Sequence, residues 1–155
     1  MIGSMTRRSL LAAAFVAASL SAAAAGAPGG TRDEAVALAH KAAELYKEKG
    51  KESLAIINDR SGPFVDRDLY VAVVDANGVV LAHAATPKMV GKSLIDLKDA
   101  DGKLFVQDLA GFVKANKSGW VNYRWLNPVS KDIEPKASYI ETQGGLGFMV
   151  GTYGK

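Results

Sequence analysis

The sequence predicts an α+β domain, with a five-stranded antiparallel sheet, a long N-terminal helix and a connecting helix. Two segments carry apolar residues at three- and four-residue spacing, which is typical of amphipathic helices. Elsewhere, short apolar and β-branched runs are bounded by turn residues, which indicates strands. The order of these segments is helix, two strands, helix, three strands. A chain of 155 residues has room for one domain of this kind.

The first 25 residues have the layout of a secretory signal peptide. Arg7 and Arg8 precede an uncharged, alanine-rich run that ends at Ala25. The run lies near the lower length limit for crossing a bilayer, so an uncleaved anchor is the alternative. The arginine pair also resembles a twin-arginine signal, which leaves the export route open. We expect a signal peptide over residues 1–25, a flexible leader over 26–30 and the folded domain over 31–155.

Export would place the folded domain in the periplasm or outside the cell, with no stable membrane insertion once the signal is cleaved. The whole chain carries 19 Lys+Arg against 16 Asp+Glu, and the two signal arginines belong to this excess. A nearly neutral domain lacks the basic surface that nucleic acids attract, so no nucleic-acid partner is expected. The chain has no cysteine, so its stability must come from its core.

Two helical segments are expected before the sheet. Thr31 and Glu34 have capping-box spacing and begin a helix that runs to about Lys49. Gly50 is placed to end this helix. A short second helical piece is expected over 52–58, before the helix-breaking sequence Ser-Gly-Pro.

Five strands are expected after these helices. The first two, 69–74 and 79–84, flank a turn whose Asn-Gly pair favours positive φ. A loop over 87–97 and a second turn over 99–102 follow, and an amphipathic helix is predicted over 103–116. The last three strands are placed at 120–126, 136–142 and 146–153.

The residues show no catalytic or metal-binding constellation. The two histidines have no neighbouring ligand residues, and the two Asp-containing turns lack a ligand at the first position of a calcium loop. No cysteine nucleophile or Gly-x-Ser-x-Gly elbow is present, and the late glycine cluster lacks dinucleotide-loop spacing. We therefore expect no enzyme activity, no metal and no cofactor.

Aromatic and cationic residues cluster late in the chain instead: Trp120, Tyr123, Arg124, Trp125, Lys136 and Tyr139. Singly, each is more often a core or surface residue than a ligand contact. Together with His83 on another strand, they could hold an anion while aromatic walls exclude water. Strand alternation places Tyr123 and Trp125 on one face and Arg124 on the other. Lys136 and Tyr139 have opposite parity and share a pocket only if a bulge intervenes.

The stretches DLYVAVVDANGVVLAHA, GWVNYRWLNP and EPKASYIE, in this order and spacing, resemble the single Cache domain family of type 2. The resemblance covers roughly residues 33–153. It implies a PAS-like sheet, with the long helix along one side and a ligand pocket over the other. Such domains usually form the extracytoplasmic part of chemoreceptors and sensor kinases, and many bind small organic acids.

The resemblance implies ligand contacts from His83, Tyr123, Trp125, Lys136 and Tyr139, with Arg124 and Met89 as further candidates. Lys136 would pair with a carboxylate, His83 and Tyr139 would hydrogen-bond it, and Trp125 would close over its apolar part. The expected function is a periplasmic sensory or accessory domain that binds a small organic acid anion. Since the chain stops directly after the last strand, a soluble binding protein or accessory subunit is expected rather than a complete receptor. The alternative is an interaction module that partners a membrane receptor or sensor through its long helix, without a small ligand of its own.

Overall fold

A computed structural model describes residues 28–154. The expected signal peptide lies outside these residues and stays a prediction. Within the described part of the chain, no helix combines the length and apolar character needed to cross a membrane.

The first helix, α1, spans Arg32–Lys49 and has the predicted ends. The Glu34 N–H donates to the Thr31 hydroxyl (3.2 Å), and the Thr31 N–H donates to the Glu34 carboxylate (2.7 Å), which forms the capping box. Gly50 ends the helix with a φ of 60°. The buried face consists of small side chains: Ala35, Ala39, Ala42 and Ala43. Small side chains allow the helix to lie close against the sheet.

The short helix α2 (Glu52–Ile57) follows, and helix α3 (Phe105–Ala115) connects the two halves of the sheet. One 3₁₀ turn spans Pro87–Met89. The strands are β1 (Val65–Asp66), β2 (Leu69–Asp75), β3 (Val80–His83), β4 (Gly119–Leu126), β5 (Ile133–Gln143) and β6 (Leu146–Tyr153). Their antiparallel order is β1-β2-β6-β5-β4, and β3 also pairs with β2. The last strand therefore lies between the first long strand and β5.

The α+β prediction is confirmed, with two differences in the sheet. The described residues form six strands rather than five, because the two-residue β1 pairs with the start of β2. Strand β5 begins at Ile133, three residues before the predicted start, and includes Pro135. Pro135 is paired with Arg124 of β4, whose N–H donates to Asp99 rather than to β5. The Pro135 carbonyl accepts the Gly154 N–H at 3.2 Å, just beyond the end of β6. Pro135 therefore stands at the last bonded position between β5 and the end of β6, where only its carbonyl is used.

The two predicted turns share one geometry. Asp75 Oδ1 accepts hydrogen bonds from the N–H groups of Asn77 and Val79, at 2.8 and 2.9 Å. Gly78 adopts a φ of 73°, whereas Asn77 stays outside the left-handed region. The turn is thus a three-residue loop in which only the glycine needs positive φ. The turn that begins at Asp99 repeats this pattern.

The sheet separates two apolar layers. On one face, α1 packs against side chains such as Val71, Val73 and Phe148. On the other face, α3 packs through Phe105 and Leu109 against a second cluster. The large exposed apolar side chains among the described residues lie outside α1: Ile56, Val90, Leu126, Val129 and Ile133. The exposed apolar helix face that docking through α1 would need is therefore covered by the protein's own sheet.

Candidate functional site

Lys136 lies buried on the α3 side of the sheet, with 4% of its surface exposed. It stands in β5 opposite Tyr123 of β4 and Tyr153 of β6. Its amine donates to the Tyr70 hydroxyl (2.6 Å) and to the Tyr153 hydroxyl (3.1 Å). The same nitrogen lies 4.0 and 4.6 Å from the centroids of these two rings. Two hydroxyls and two aromatic faces therefore surround the amine.

The hydroxyls around Lys136 have further partners. The Tyr70 and Tyr153 hydroxyls lie 3.2 Å apart, and the Tyr153 hydroxyl donates to the Leu126 carbonyl at 2.8 Å. The Tyr123 hydroxyl lies 2.9 Å from the Ser138 hydroxyl. Burial is the largest cause that raises the pKa of all three tyrosines, so they stay neutral.

Lys136 has no bonded counter-ion among residues 28–154. The salt bridges that the described residues form do not include it. Burial lowers the pKa of its amine well below the ordinary value, while the charge of Asp68 acts in the opposite direction. The Asp68 carboxylate itself accepts a hydrogen bond from the Gly30 N–H at 2.7 Å. A buried amine that meets only neutral hydroxyls is poorly compensated when it is charged.

His83 provides a neutral donor near this amine. It ends β3, is 4% exposed, and its ring centroid lies 5.1 Å from that of Tyr70. Its Nδ1 accepts the Thr86 N–H at 2.9 Å, which assigns the ring proton to Nε2 in the neutral form. Burial, and then the charge of Lys136, lowers the pKa of His83 to about 4. The imidazole is therefore uncharged at neutral pH.

An aromatic wall adjoins these polar groups. Tyr123 stacks on Phe105 with centroids 4.1 Å apart, and Trp125 meets Phe105 edge-on at 5.3 Å. A hollow of about 20 Å³ is enclosed by Tyr70, Val74, Val80, His83, Met89, Leu94, Phe105, Val106, Tyr123, Trp125 and Met149. This volume holds about one water molecule. A small acid would enter only after some of these side chains move apart.

A larger and more open cleft of about 400 Å³ lies on the outer side of the same residues. Tyr70, Met89 and Trp125 line both the cleft and the hollow. These three side chains therefore separate the two spaces. The remaining lining residues of the cleft are Arg60, Val65, Arg67, Ala84, Ala85, Thr86, Leu126, Pro128 and Lys131.

The structure brings five of the seven predicted ligand residues together. His83, Met89, Tyr123 and Trp125 line the hollow, and Lys136 lies directly behind Tyr70. No group of three or more potential metal ligands occurs within residues 28–154.

Two of the predicted ligand residues, Tyr139 and Arg124, lie away from the hollow. Strand β5 pairs without a bulge, so Tyr139 faces α1, and its ring lies 5.4 Å from that of Trp120. Arg124 also points away from the hollow. Its guanidinium donates to the Ile133 carbonyl at 3.1 Å.

Sequence reasoning missed Tyr70, Tyr153 and Asp68. Tyr70 shares its strand face with Ala72 and Val74, and this parity was readable from the sequence. The position of Tyr153 depends on β6 lying between β2 and β5, which the local sequence does not show.

Comparison with known proteins extends these observations. The methyl-accepting chemotaxis protein McpP of Pseudomonas putida is 29% identical over 87 residues, which cover 56% of this chain and 16% of that protein. The chain thus spans about a sixth of the length of this relative.

Three solved structures share the fold. A methyl-accepting chemotaxis protein from Vibrio parahaemolyticus has a TM-score of 0.65 at 22% identity, covering 78% of this chain and 86% of that one. A Cache chemosensory domain, solved to explain its carboxylic acid recognition, has a TM-score of 0.66 at 22% identity, with 79% and 92% covered. A periplasmic sensor domain of a chemotaxis protein has a TM-score of 0.60 at 25% identity, with 79% and 90% covered.

The sequence profile described as "Single Cache domain 2" matches residues 16–154, which is nearly the entire chain. Domains of this family are sensory, ligand-binding domains rather than a class of enzymes. They act outside the cytoplasm. With its antiparallel sheet, its long N-terminal helix and this match, the chain belongs to the single Cache domain 2 family.

Proposed function

We propose that this domain binds a small organic acid anion in the hollow beside Lys136, as an extracytoplasmic sensory or accessory module. One observation carries the proposal: a buried amine is bonded to neutral hydroxyls and takes part in none of the salt bridges of the described residues. A carboxylate would supply the missing negative charge and form charge-assisted hydrogen bonds.

The donors around the hollow suit a carboxylate. Tyr70 lines the hollow and its hydroxyl accepts a hydrogen bond from the Lys136 amine, and His83 retains its Nε2 proton as a donor because Nδ1 is already occupied. Tyr123 and Trp125 provide aromatic surface for the apolar chain of the acid. Since the hollow holds only about one water, binding requires an outward movement of the side chains that separate it from the cleft. Short acids need the smallest movement.

The relatives support the same ligand class. Carboxylic acid recognition is established for the Cache domain that shares this fold, and McpP is a chemotaxis protein. The particular acid is a property of that other domain. We therefore assign only the ligand class to this chain, as part of the proposal. The Lys136 environment is the independent support within this molecule.

Calorimetry with ligand-stripped protein tests the proposal. Acetate, propionate, lactate and butyrate would be titrated into the wild type, Lys136→Met and the exposed-site control Lys114→Met. We expect at least one acid to bind the wild type and the control with a Kd of roughly micromolar order, about −8 kcal/mol. Lys136→Met should lose this binding. The proposal is overturned when no acid binds the wild type, or when Lys136→Met binds equally well.

We also propose that the signal peptide over residues 1–25 directs the domain out of the cytoplasm and that a membrane receptor is its signalling partner. The mass of the protein recovered from the periplasm would show whether residues 1–25 have been removed. An unprocessed mass in a membrane fraction would favour the anchor instead.

A further inference from the structure

Three cationic side chains line the cleft outside the hollow. Arg60, Arg67 and Lys131 line it, and no Asp or Glu appears among the described residues that do so. Its other lining side chains are mainly apolar or aromatic. A concave surface with several cations and a low-dielectric wall concentrates anions.

The three cations are not equally neutralised. Arg67 donates to Asp66 at 2.8 Å and to Glu34 at 2.7 Å, so its charge is balanced within the protein. Arg60 takes part in none of the salt bridges of residues 28–154. The Lys131 amine donates to the Pro128 carbonyl at 2.6 Å, which leaves its charge unbalanced. Arg60 and Lys131 are therefore the two cations available to an anion.

The cleft and the hollow adjoin. Tyr70 lines both spaces, and its hydroxyl accepts the hydrogen bond from the Lys136 amine. An extended molecule that passes Tyr70, Met89 and Trp125 would thus meet a buried cation at one end and exposed cations at the other. The wall between the two ends is apolar or aromatic.

We propose that the cleft is an outer anion subsite and that the preferred ligands of this domain are dicarboxylates with a short apolar chain. One carboxylate would lie beside Lys136, and Arg60 and Lys131 would hold the other. This inference rests on the proposed function, because it assumes the inner carboxylate position.

Calorimetry with matched acids tests the outer subsite. Succinate, glutarate and adipate would be compared with butyrate, valerate and hexanoate, which have the same chain lengths and one carboxylate fewer. The variant is Arg60→Gln/Lys131→Gln. The control, Lys49→Gln/Lys114→Gln, removes the same charge from exposed helix positions.

We expect the wild type to bind one of the diacids more tightly than its matched monoacid. The cleft variant should weaken that diacid about tenfold, since two partly exposed ion pairs are lost, and change the monoacid less than twofold. The charge control should leave both acids unchanged.

Four results would overturn the outer subsite. If the cleft variant binds the diacid as tightly as the wild type does, the outer subsite is ruled out. The proposed function still stands in that case as long as the monoacids bind. An equal loss for diacid and monoacid, or an equal loss in the charge control, would assign the effect to overall charge. If the wild type binds no acid of either series, the proposed function fails and the outer subsite fails with it.

Discussion

Replacing Lys136 with methionine should separate the two roles that its buried amine could have. Methionine keeps an unbranched chain of similar length and removes the amine. The Tyr70 and Tyr153 hydroxyls would remain partnered, because they lie 3.2 Å from each other and Tyr153 also donates to Leu126. The substitution therefore leaves no buried hydroxyl without a partner.

The expected effect on the ligand-free protein is an increase in stability. Burying an amine costs several kcal/mol, and here two hydrogen bonds and two ring contacts offset only part of that cost. Replacement of buried ionic groups by apolar ones stabilises other proteins by about 1–4 kcal/mol, and we expect about 2 kcal/mol here. For a domain of this size, that corresponds to a rise in Tm of roughly 8 °C.

Calorimetric melting of the ligand-free wild type, Lys136→Met and the exposed control Lys114→Met measures this change. The burial-lowered pKa of Lys136 also predicts its pH dependence. Between the lowered pKa and the ordinary value of about 10.4, the unfolded state binds more protons, so the unfolding free energy of the wild type rises with pH. The variant should lose this rise. A variant that is less stable than the wild type by more than about 2 kcal/mol would refute the reasoning, since the amine would then be a structural bridge.

Three further predictions concern neighbouring residues. Because the pKa of His83 is lowered to about 4, the unfolding free energy should fall as the pH drops from about 6.5 towards 4, by about 3 kcal/mol, and His83→Gln should remove this fall. Urea titrations at a series of pH values would measure it. Gly151→Ala should destabilise the domain by about 1–3 kcal/mol and weaken acid binding, because the new methyl would meet Lys136 Cε at 2.2 Å. Gly111→Ala, where a methyl meets nothing within 4 Å, should be neutral or stabilising in the same melts. Tyr139→Phe should leave acid affinity unchanged in calorimetry, because this side chain faces α1.

Each of these predictions has a contrary outcome. A His83 variant with the same acid sensitivity as the wild type would show that other groups titrate in this range. Equal stability of the two glycine variants would mean that the Lys136 chain has space to move. A loss of acid affinity in Tyr139→Phe would place the ligand on the α1 side of the sheet.

Local signals predicted the helical parts of the fold well. The Thr31–Glu34 capping box and Gly50 act within a few residues, so the ends of α1 could be read directly. The start of β5 could not, because Pro135 is tolerated only where the sheet needs no N–H donor from it. That condition depends on strand pairing, which acts over long distances in sequence.

The candidate site likewise contains residues that local alternation placed and residues whose position depends on strand order. Alternation along β4 placed Tyr123 and Trp125 on one face, and the structure agrees. Alternation also placed Lys136 and Tyr139 on opposite faces of β5, so that without a bulge only one of them can face the hollow. The regular pairing of β5 puts Lys136 on that face. Tyr153 was missed because the last strand inserts between β2 and β5.

Both ends of the described chain meet the surroundings of Lys136. Gly30, near the first described residue, is held by Asp68, whose charge acts on the Lys136 amine, and Tyr153, near the last described residue, is bonded to that amine directly. An acid that bonds the Lys136 amine would also change what restrains the segments around Gly30 and Tyr153. Thermodynamic reciprocity then requires that a pull or clamp on those segments changes the acid's affinity by the same factor.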